Sequence, residues 1–248
     1  MSTQADSSRT RPIITTGRLA TRMTVAEQAQ LQADLQPWLL TPDFLSAGKP
    51  LEVELGIGNG LALYARAAAN PHMNFIGSEI YLNGLRTLLG QLTKQPLPNL
   101  RLYPQDGRTL FTEGHLTPAS IIRVLVLFPD PWPKSSHHKR RLVQPQLAQA
   151  VHAALKPEGE FWVVTDWPSY AYHSIAVLHH TKGLQLAPVN VSAADCKPSA
   201  RLADEDGSAT LGPQLLIHAP VWWQPTKYQQ KAQVAGRNPW FIKAIKTR

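Results

Sequence analysis

Apolar residues in this chain fall into short runs that alternate with stretches of helical spacing. Leu51 to Leu55, Asn74 to Gly77, Leu100 to Tyr103, Ile121 to Phe128 and Glu160 to Thr165 each predict a short strand, the fourth of them buried on both faces. Between them, Gly60 to Ala69, Leu82 to Leu92, Gln144 to Leu155 and Tyr170 to His180 predict helices. Asn70-Pro71 stops the first of these helices, and Lys156-Pro157-Glu158-Gly159 stops the third. Strands alternating with helices predict an α/β fold with a parallel, doubly wound sheet and helices on both faces, and ligands then belong at the carboxyl ends of the strands. Gly236 to Ile245 reads as a last strand returning to the sheet, with Trp240, Ile242 and Ile245 partly buried.

The flanks differ from this core. Residues 1 to about 12 are rich in Ser, Thr, Gln and Arg and read as disordered. From Thr24 to Leu40 the positions Val25, Ala29, Leu31, Leu35, Trp38 and Leu39 allow an amphipathic helix, and Pro42 with Ser46-Ala47-Gly48-Lys49-Pro50 makes a connector. Residues 1–45 therefore read as an arm carrying one helix, and 46–248 as the main domain. Residues 190–212 read as a loop or irregular insertion, with Asp204, Glu205 and Asp206 in a solvated acidic turn.

Composition narrows the partner. The 248 residues carry a formal charge of +8, which favours an anionic partner. From Arg123 to Lys156 there are six Lys or Arg and one acid, and from Pro213 to Arg248 six Lys or Arg and no acid. Solvated surface lysine is the plain explanation of such an excess; nucleic acid is the functional one. A lone cysteine, Cys196, fits a reducing cytosol. The N-terminus has no apolar signal core, and no apolar stretch approaches the ~18 residues of a membrane span, so a cytoplasmic location is expected. Monomer and homodimer fit equally.

Two segments carry chemistry. The first is Glu54-Leu55-Gly56-Ile57-Gly58-Asn59-Gly60, between the first strand and first helix. Alternate glycines allow a tight turn and close approach of a ligand. A dinucleotide fingerprint needs glycine at i, i+2 and i+5, and counting from Gly56 that last position is Leu61. The spacing argues instead for a nucleoside-like ligand without a pyrophosphate, such as S-adenosylmethionine, and disfavours a dinucleotide oxidoreductase. Glu79 closes the second strand about where a Rossmann site places its ribose-binding acid, ~20 residues on; the other reading is an N-cap for the following helix. Asp106, in Gln105-Asp106-Gly107, either accepts from an adenine amino group or caps a short helix near Thr109. Glu54 either orients the glycine loop, meets the positive methionine end of the cofactor, or hydrogen-bonds loop amides.

The second is Phe128-Pro129-Asp130-Pro131-Trp132-Pro133-Lys134, followed by Ser135-Ser136-His137-His138-Lys139-Arg140-Arg141. Three prolines stop the strand and stiffen the loop. A rigid acid, Asp130, and an indole, Trp132, then stand beside a cationic patch suited to phosphate. Trp132 either stacks on a base or packs under its own loop. His137 and His138 read as solvated, RNA-facing residues, since no third metal ligand is evident nearby.

Taken together, FPDPWPK with HHKRRLVQP (Phe128 to Pro145), ELGIGNG, Phe75-Ile76-Gly77-Ser78-Glu79, Thr165-Asp166-Trp167 and Pro225-Thr226-Lys227-Tyr228 resemble the tRNA (guanine-N7)-methyltransferase family, in its bacterial single-chain form. The resemblance runs from about Ile13 to the C-terminus and is weakest over residues 190–212. It implies a Rossmann-like class I methyltransferase fold, S-adenosylmethionine as cofactor, tRNA as partner and no metal. It implies that Glu54, Glu79, Asp106 and Asp130 are the acids of the cofactor site, beside Gly56, Gly58 and Gly60, with Asp130 also catalytic. It further implies that Lys134, Asp166, Thr226, Lys227, Tyr228 and Gln229 contact substrate. Members usually read Thr-Lys-Phe-Glu and then Arg-Gly, where this chain has Thr226-Lys227-Tyr228-Gln229 and Gln230-Lys231. Ser78 replaces a usual aliphatic residue, a change expected to matter little. Loss of the carboxylate at Gln229 motivates a second reading, a non-catalytic RNA-binding protein on the same fold.

The implied reaction suits these residues. Guanine N7 has a free lone pair and needs no general base, so positioning and charge placement can supply most of the catalysis. Asp130 or Asp166, at the ends of neighbouring strands, can accept from the N–H groups of the base. Lys134, Lys139, Arg140, Arg141, Lys227, Lys231 and Arg237 are candidate phosphate contacts, offsetting the cost of turning a guanosine out of the folded tRNA.

Overall fold

The computed structural model describes residues 23–187 and 219–248; the expected disordered start and the insertion at 190–212 lie outside the described residues. Seven strands form one sheet: β1 (Leu51–Leu55), β2 (Asn74–Ser78), β3 (Leu100–Tyr103), β4 (Ile121–Leu127), β5 (Leu155–Thr165), β6 (Leu184–Ala187) and β7 (Trp240–Lys246), in the order β3-β2-β1-β4-β5-β7-β6. β1 to β5 pair in parallel as their alternation with helices predicts. The sheet is nevertheless mixed, because β7 runs antiparallel to both β5 and β6. β7 begins at the carboxyl end of β5, Trp240 opposite Thr165, and a strand that starts there can only run back against its neighbour.

The helices are α1 (Val25–Leu35), α2 (Pro42–Ser46), α3 (Leu61–Ala69), α4 (Leu82–Lys94), α5 (Gly107–Thr112), α6 (Pro145–Ala154), α7 (Pro168–His180) and α8 (Lys227–Val234). Thr24 and Glu27 cap α1 reciprocally, a capping box written in the sequence. The single helix expected from Thr24 to Leu40 breaks instead at Pro37, where a 3₁₀ turn covers Gln36–Trp38. Its core face is Leu31 and Leu35, while Val25 is exposed. The Pro157-Glu158-Gly159 signal, read as a helix stop, is also a bulge inside β5. Ile121 pairs with Leu155, and the next pair, Arg123 with Glu160, skips the intervening residues, Glu158 taking a φ of 65°.

Alternation along the strands builds two layers. Val53, Val124, Val126, Phe161 and Val163 pack under α5, α6 and α7, against Leu110, Leu147, Val151, Tyr170, Ile175 and Leu178. On the opposite face Phe75, Leu100 and Leu102 meet α1, α3 and α4 through Leu31, Leu63, Leu85, Leu88 and Leu92. Right-handed crossovers put the helices of the β1-β2-β3 half and the β4-β5 half on opposite faces. The order reverses between β1 and β4, and a crevice opens there at the carboxyl ends.

Beside these apolar contacts, α3 covers a buried cluster of charges on the sheet. Arg66 of α3 donates to Glu52 at 2.8 Å and also to Glu54; Arg123 bridges Glu52 at 3.0 Å and Glu160 at 3.1 Å. Burial pushes the Glu54 carboxyl up, against the downward pull of Arg66. Arg66→Met strands the buried Glu54 carboxylate, while Glu52 keeps Arg123, and should cost about 3–5 kcal/mol near pH 7. Without Arg66 the folded-state Glu54 carboxyl lies further above its unfolded value, so the variant should recover stability as pH falls. Urea unfolding near pH 7 and near pH 5.5 measures both effects; a loss below about 1 kcal/mol would mean that the Glu54 carboxylate reaches water.

Candidate active site

At the switch point the glycine loop leaves β1 with φ values of 76°, 58° and 69° at Gly56, Gly58 and Gly60, left-handed conformations that favour glycine. Gly56 and Ile57 donate their amides to the Ser78 carbonyl at 2.9 and 3.1 Å, which ties the loop to the end of β2. The Gly58 amide donates at 2.7 Å to Oε2 of Glu79, and the Tyr81 amide at 2.8 Å to Oε1. Glu79 is therefore not the N-cap of α4, whose capping position is Tyr81 with no side-chain bond. It braces the glycine loop, and each of its oxygens keeps a lone pair. Burial raises its carboxyl, partly countered by backbone hydrogen bonds, and the charge of Asp130 raises it further.

Asp106 at the end of β3 takes the capping role. It is the N-cap of α5, accepting from the Arg108 amide at 3.0 Å and from the Arg108 guanidinium. Burial would raise its carboxyl, but the bonds from Arg108 and its charge hold the group below the ordinary range. An adenine contact at Asp106 would share the carboxylate with Arg108. Glu54 is 3% exposed and meets Arg66, not the loop amides.

The loop after β4 is strained at both ends of its acid. Phe128 and Trp132 have φ of 48° and 44°, positions that non-glycine residues hold only when their surroundings fix them. The Phe128 amide donates to the Val164 carbonyl at 2.7 Å. Asp130 faces solvent in the cleft, and its partial enclosure raises the carboxyl. The Trp132 ring, half-buried, is met edge-on by His137 at 5.7 Å and covered by Arg140 at 5.0 Å. His137 is thus a packing partner of the indole rather than a freely solvated residue. His138 lies 2.9 Å from the Arg141 guanidinium. Arg141 itself is 1% exposed, which removes it from the phosphate-contact group; Lys134 and Lys139 remain exposed.

The C-terminal segment closes the site from the other side. Thr226 caps α8 by accepting from the Gln229 amide at 3.1 Å. Tyr228 leans over the glycine loop: a β-carbon on Gly58 would stand 3.2 Å from its ring and hydroxyl. Burial and then the charges of Glu79 and Asp130 raise the Tyr228 phenol, so it stays neutral. Gln229 accepts from the Trp223 indole N–H at 2.8 Å. Asp166 pairs with Arg237 at 2.7 Å, and that guanidinium also lies 5.8 Å from the Trp167 ring.

Two cavities border the glycine loop. The larger, about 360 Å³ and within the range of small-molecule sites, gathers Gly56, Gly58, Glu79, Asp106, Asp130, Trp132 and Tyr228, together with Ser78, Tyr81 and Arg140. The smaller, about 230 Å³, is lined by Glu54, Gly56, Asn59, Thr226, Lys227 and Tyr228 among others. Tyr228 borders both. Lys134, Asp166 and Gln229 line neither. Sequence reasoning missed Arg140 and Tyr81 as cavity residues. Tyr81 had one signal, its place two residues after the strand-end acid; Arg140 had none beyond its charge. Among the described residues no group of three or more His, Cys, Asp or Glu is placed to hold a metal ion.

The site can now be compared with known proteins. A family model described as "Putative methyltransferase" matches residues 48–242. The tRNA (guanine-N(7)-)-methyltransferase of Alkalilimnicola ehrlichii is 37% identical over 191 residues, covering 71% of this chain and 78% of that protein. The protein of the same name from Methylococcus capsulatus is 35% identical, with 77% and 72% covered. That of Chromohalobacter salexigens is 41% identical over 134 residues, a match spanning about half of either chain, 54%. A 16S rRNA (adenine(1408)-N(1))-methyltransferase from Catenulisporales acidiphilia superposes with a TM-score of 0.54 over 84% of this chain and 92% of that one, at 16% identity. The 16S rRNA methyltransferase KamB does so at 0.51 over 94% and 98%, at 14% identity; at such identities the likeness shows the class I methyltransferase fold. With the glycine loop, Glu79 and Asp130 gathered on that fold, and with relatives aligned over most of their own length, this chain belongs to the tRNA (guanine-N(7)-)-methyltransferase family.

Proposed function

We propose that the cleft between the glycine loop and the loop carrying Asp130 binds S-adenosylmethionine and methylates N7 of a guanosine in the tRNA variable loop, forming 7-methylguanosine. The observation that carries this is the placement of Asp130 in one cavity with Glu79 and the positive-φ glycines. The residues suit the cofactor: Glu79 keeps acceptor capacity for two ribose hydroxyls, Asp106 stands at the end of the next strand for the adenine, and Glu54 and Lys227 line the smaller cavity with opposite charges for the amino-acid end. When bound, the cofactor supplies an electrophilic methyl group on a sulfonium.

The chain's own residues then position and polarise. Asp130 accepts from the N–H groups of the guanine edge and favours the positive charge that develops on the base; no proton is taken. Trp132 and Arg140 offer a surface for the base or its neighbours. Lys134, Lys139, Lys227 and Lys231 supply phosphate contacts, and a tRNA substrate puts the work in the cytoplasm. No helix among the described residues is long and apolar enough to cross a membrane. The non-catalytic reading loses its motive, since Gln229 is turned to Trp223 and faces neither cavity.

Incubation with unmodified tRNA and methyl-labelled S-adenosylmethionine should place label in 7-methylguanosine, and Asp130→Ala should lower the rate on the order of a hundredfold or more. Salt-sensitive tRNA binding without label would instead support the RNA-binding protein. The pH profile of kcat/KM should be flat from about pH 7 to 9 and fall on the acid side, at a pH above the ordinary carboxylate range. Burial raises Asp130 and Glu79, and each works as the charged acceptor, which is lost as pH falls. A second limb, with the rate still rising above pH 7, would require a general base. Lys134→Ala with Lys139→Ala should raise the tRNA KM several-fold and lower the salt slope by roughly one for each lost contact; an unchanged slope would remove both lysines from the interface.

A further inference from the structure

Arg141 closes a run of basic residues, yet its charge is spent entirely inside the protein. Nε donates to the Pro131 carbonyl at 3.1 Å, and Nη1 to the Ser169 carbonyl at 3.1 Å. Nη2 meets the Ser169 hydroxyl at 3.1 Å and Nε2 of His138 at 2.9 Å. The guanidinium also lies 5.4 Å from the centroid of the Tyr170 ring. Pro131 sits between Asp130 and Trp132, and Ser169 lies in the first turn of α7, just beyond Asp166. One side chain thus ties the backbone beside Asp130 to the helix that follows the neighbouring strand. Two further bonds extend the strap: the Val143 amide donates to the Tyr170 hydroxyl at 3.1 Å, and the His173 ring lies 2.7 Å from the Val143 carbonyl.

The loop needs such a hold. Its left-handed residues, Phe128 and Trp132, bracket Asp130, and backbone of that kind relaxes unless its surroundings over-determine it. A guanidinium suits the task because its planar fork serves several acceptors in fixed directions, whereas an ammonium serves as a point charge.

We infer that Arg141 is a positioning residue: it holds the strained loop so that the Asp130 carboxylate stays in the cavity, and it sets turnover rather than affinity for tRNA. This rests on the methyltransferase reading of the cleft. In Arg141→Ala, kcat per cofactor-binding site should fall on the order of a hundredfold, as misplacement of a reacting group does. The salt slope of tRNA binding should stay at the wild-type value, and amide exchange across residues 130–143 should speed up without any ligand. Arg141→Lys should behave like the alanine variant. If Arg141→Ala does not fold, Tyr170→Phe decides, since it keeps the ring and removes only the bond to Val143; it should speed the same exchange and lower kcat about severalfold. Wild-type exchange with wild-type kcat in the folded variant overturns the inference, as does full activity in Arg141→Lys. A raised tRNA KM with a shallower salt slope at intact kcat would return Arg141 to the phosphate contacts. A wild-type protein that transfers no methyl would overturn the function instead, while the exchange data would still judge the strap.

Discussion

Two carboxylates, Glu79 and Asp130, share one cavity, and water is the only solvent that would keep both charged at no cost. Burial raises each, and the charge of Asp130 adds to the burden on Glu79. Such a pair persists only if the protein fixes both groups and if the occupant of the cavity repays the repulsion. Glu79 is fixed by the backbone amides of Gly58 and Tyr81. Asp130 is fixed indirectly, through a strained loop. The occupant is a cation both before and after reaction, first a sulfonium and then a methylated guanine, so a cavity built of unpaired acids favours every charged state along the path.

The same logic sorts the cations. Arg66 sits between two carboxylates beneath α3 and Arg141 among carbonyls beneath the loop of Asp130, both almost wholly buried. Each uses several donors in the fixed directions of a planar fork, a geometry that a lysine ammonium does not offer. Lys134, Lys139, Lys227 and Lys231 stay at the surface, where phosphate can find them. Net charge therefore overstates the RNA-binding face, because part of the excess is structural.

The strands β1 to β5, the glycine turn and the strand-end acids were legible because each rests on local chemistry: a period of two, a left-handed turn, an acid before a helix. What escaped the sequence depends on phase and partners. Arg140 and Arg141 are neighbours of identical charge, but the 3₁₀ turn Ser135–Arg140 ends between them, so one lies over Trp132 and the other points inward. Asp106 and Glu79 both precede helices, yet only Asp106 caps one, because α5 begins at the very next residue, Gly107, whereas α4 begins at Leu82, beyond Ile80 and Tyr81. β6 spans only Leu184–Ala187 and exists through its pairing with β7, the returning strand expected over Gly236 to Ile245. α8 has little apolar character and buries only Ala232, so no periodicity announces it.

The departure at Gln229 illustrates how a contact can be kept while a charge is dropped. Thr226 and Gln229 stand at the cap and third position of α8, the arrangement in which a glutamate or glutamine would bond back to the cap amide. Here the Gln229 side chain instead accepts from the Trp223 indole, which packs edge-on against Phe241 at 5.0 Å and so joins α8 to the sheet. A carboxylate would accept from that indole equally well, so the bond alone does not require glutamine. What glutamine removes is a negative charge from the helix N-terminus, beside a cleft that already holds Glu79, Asp130 and the Tyr228 phenol they perturb. The substitution therefore leaves the attachment of α8 intact and eases the electrostatic crowding of the cleft, at the expense of part of its attraction for a cation.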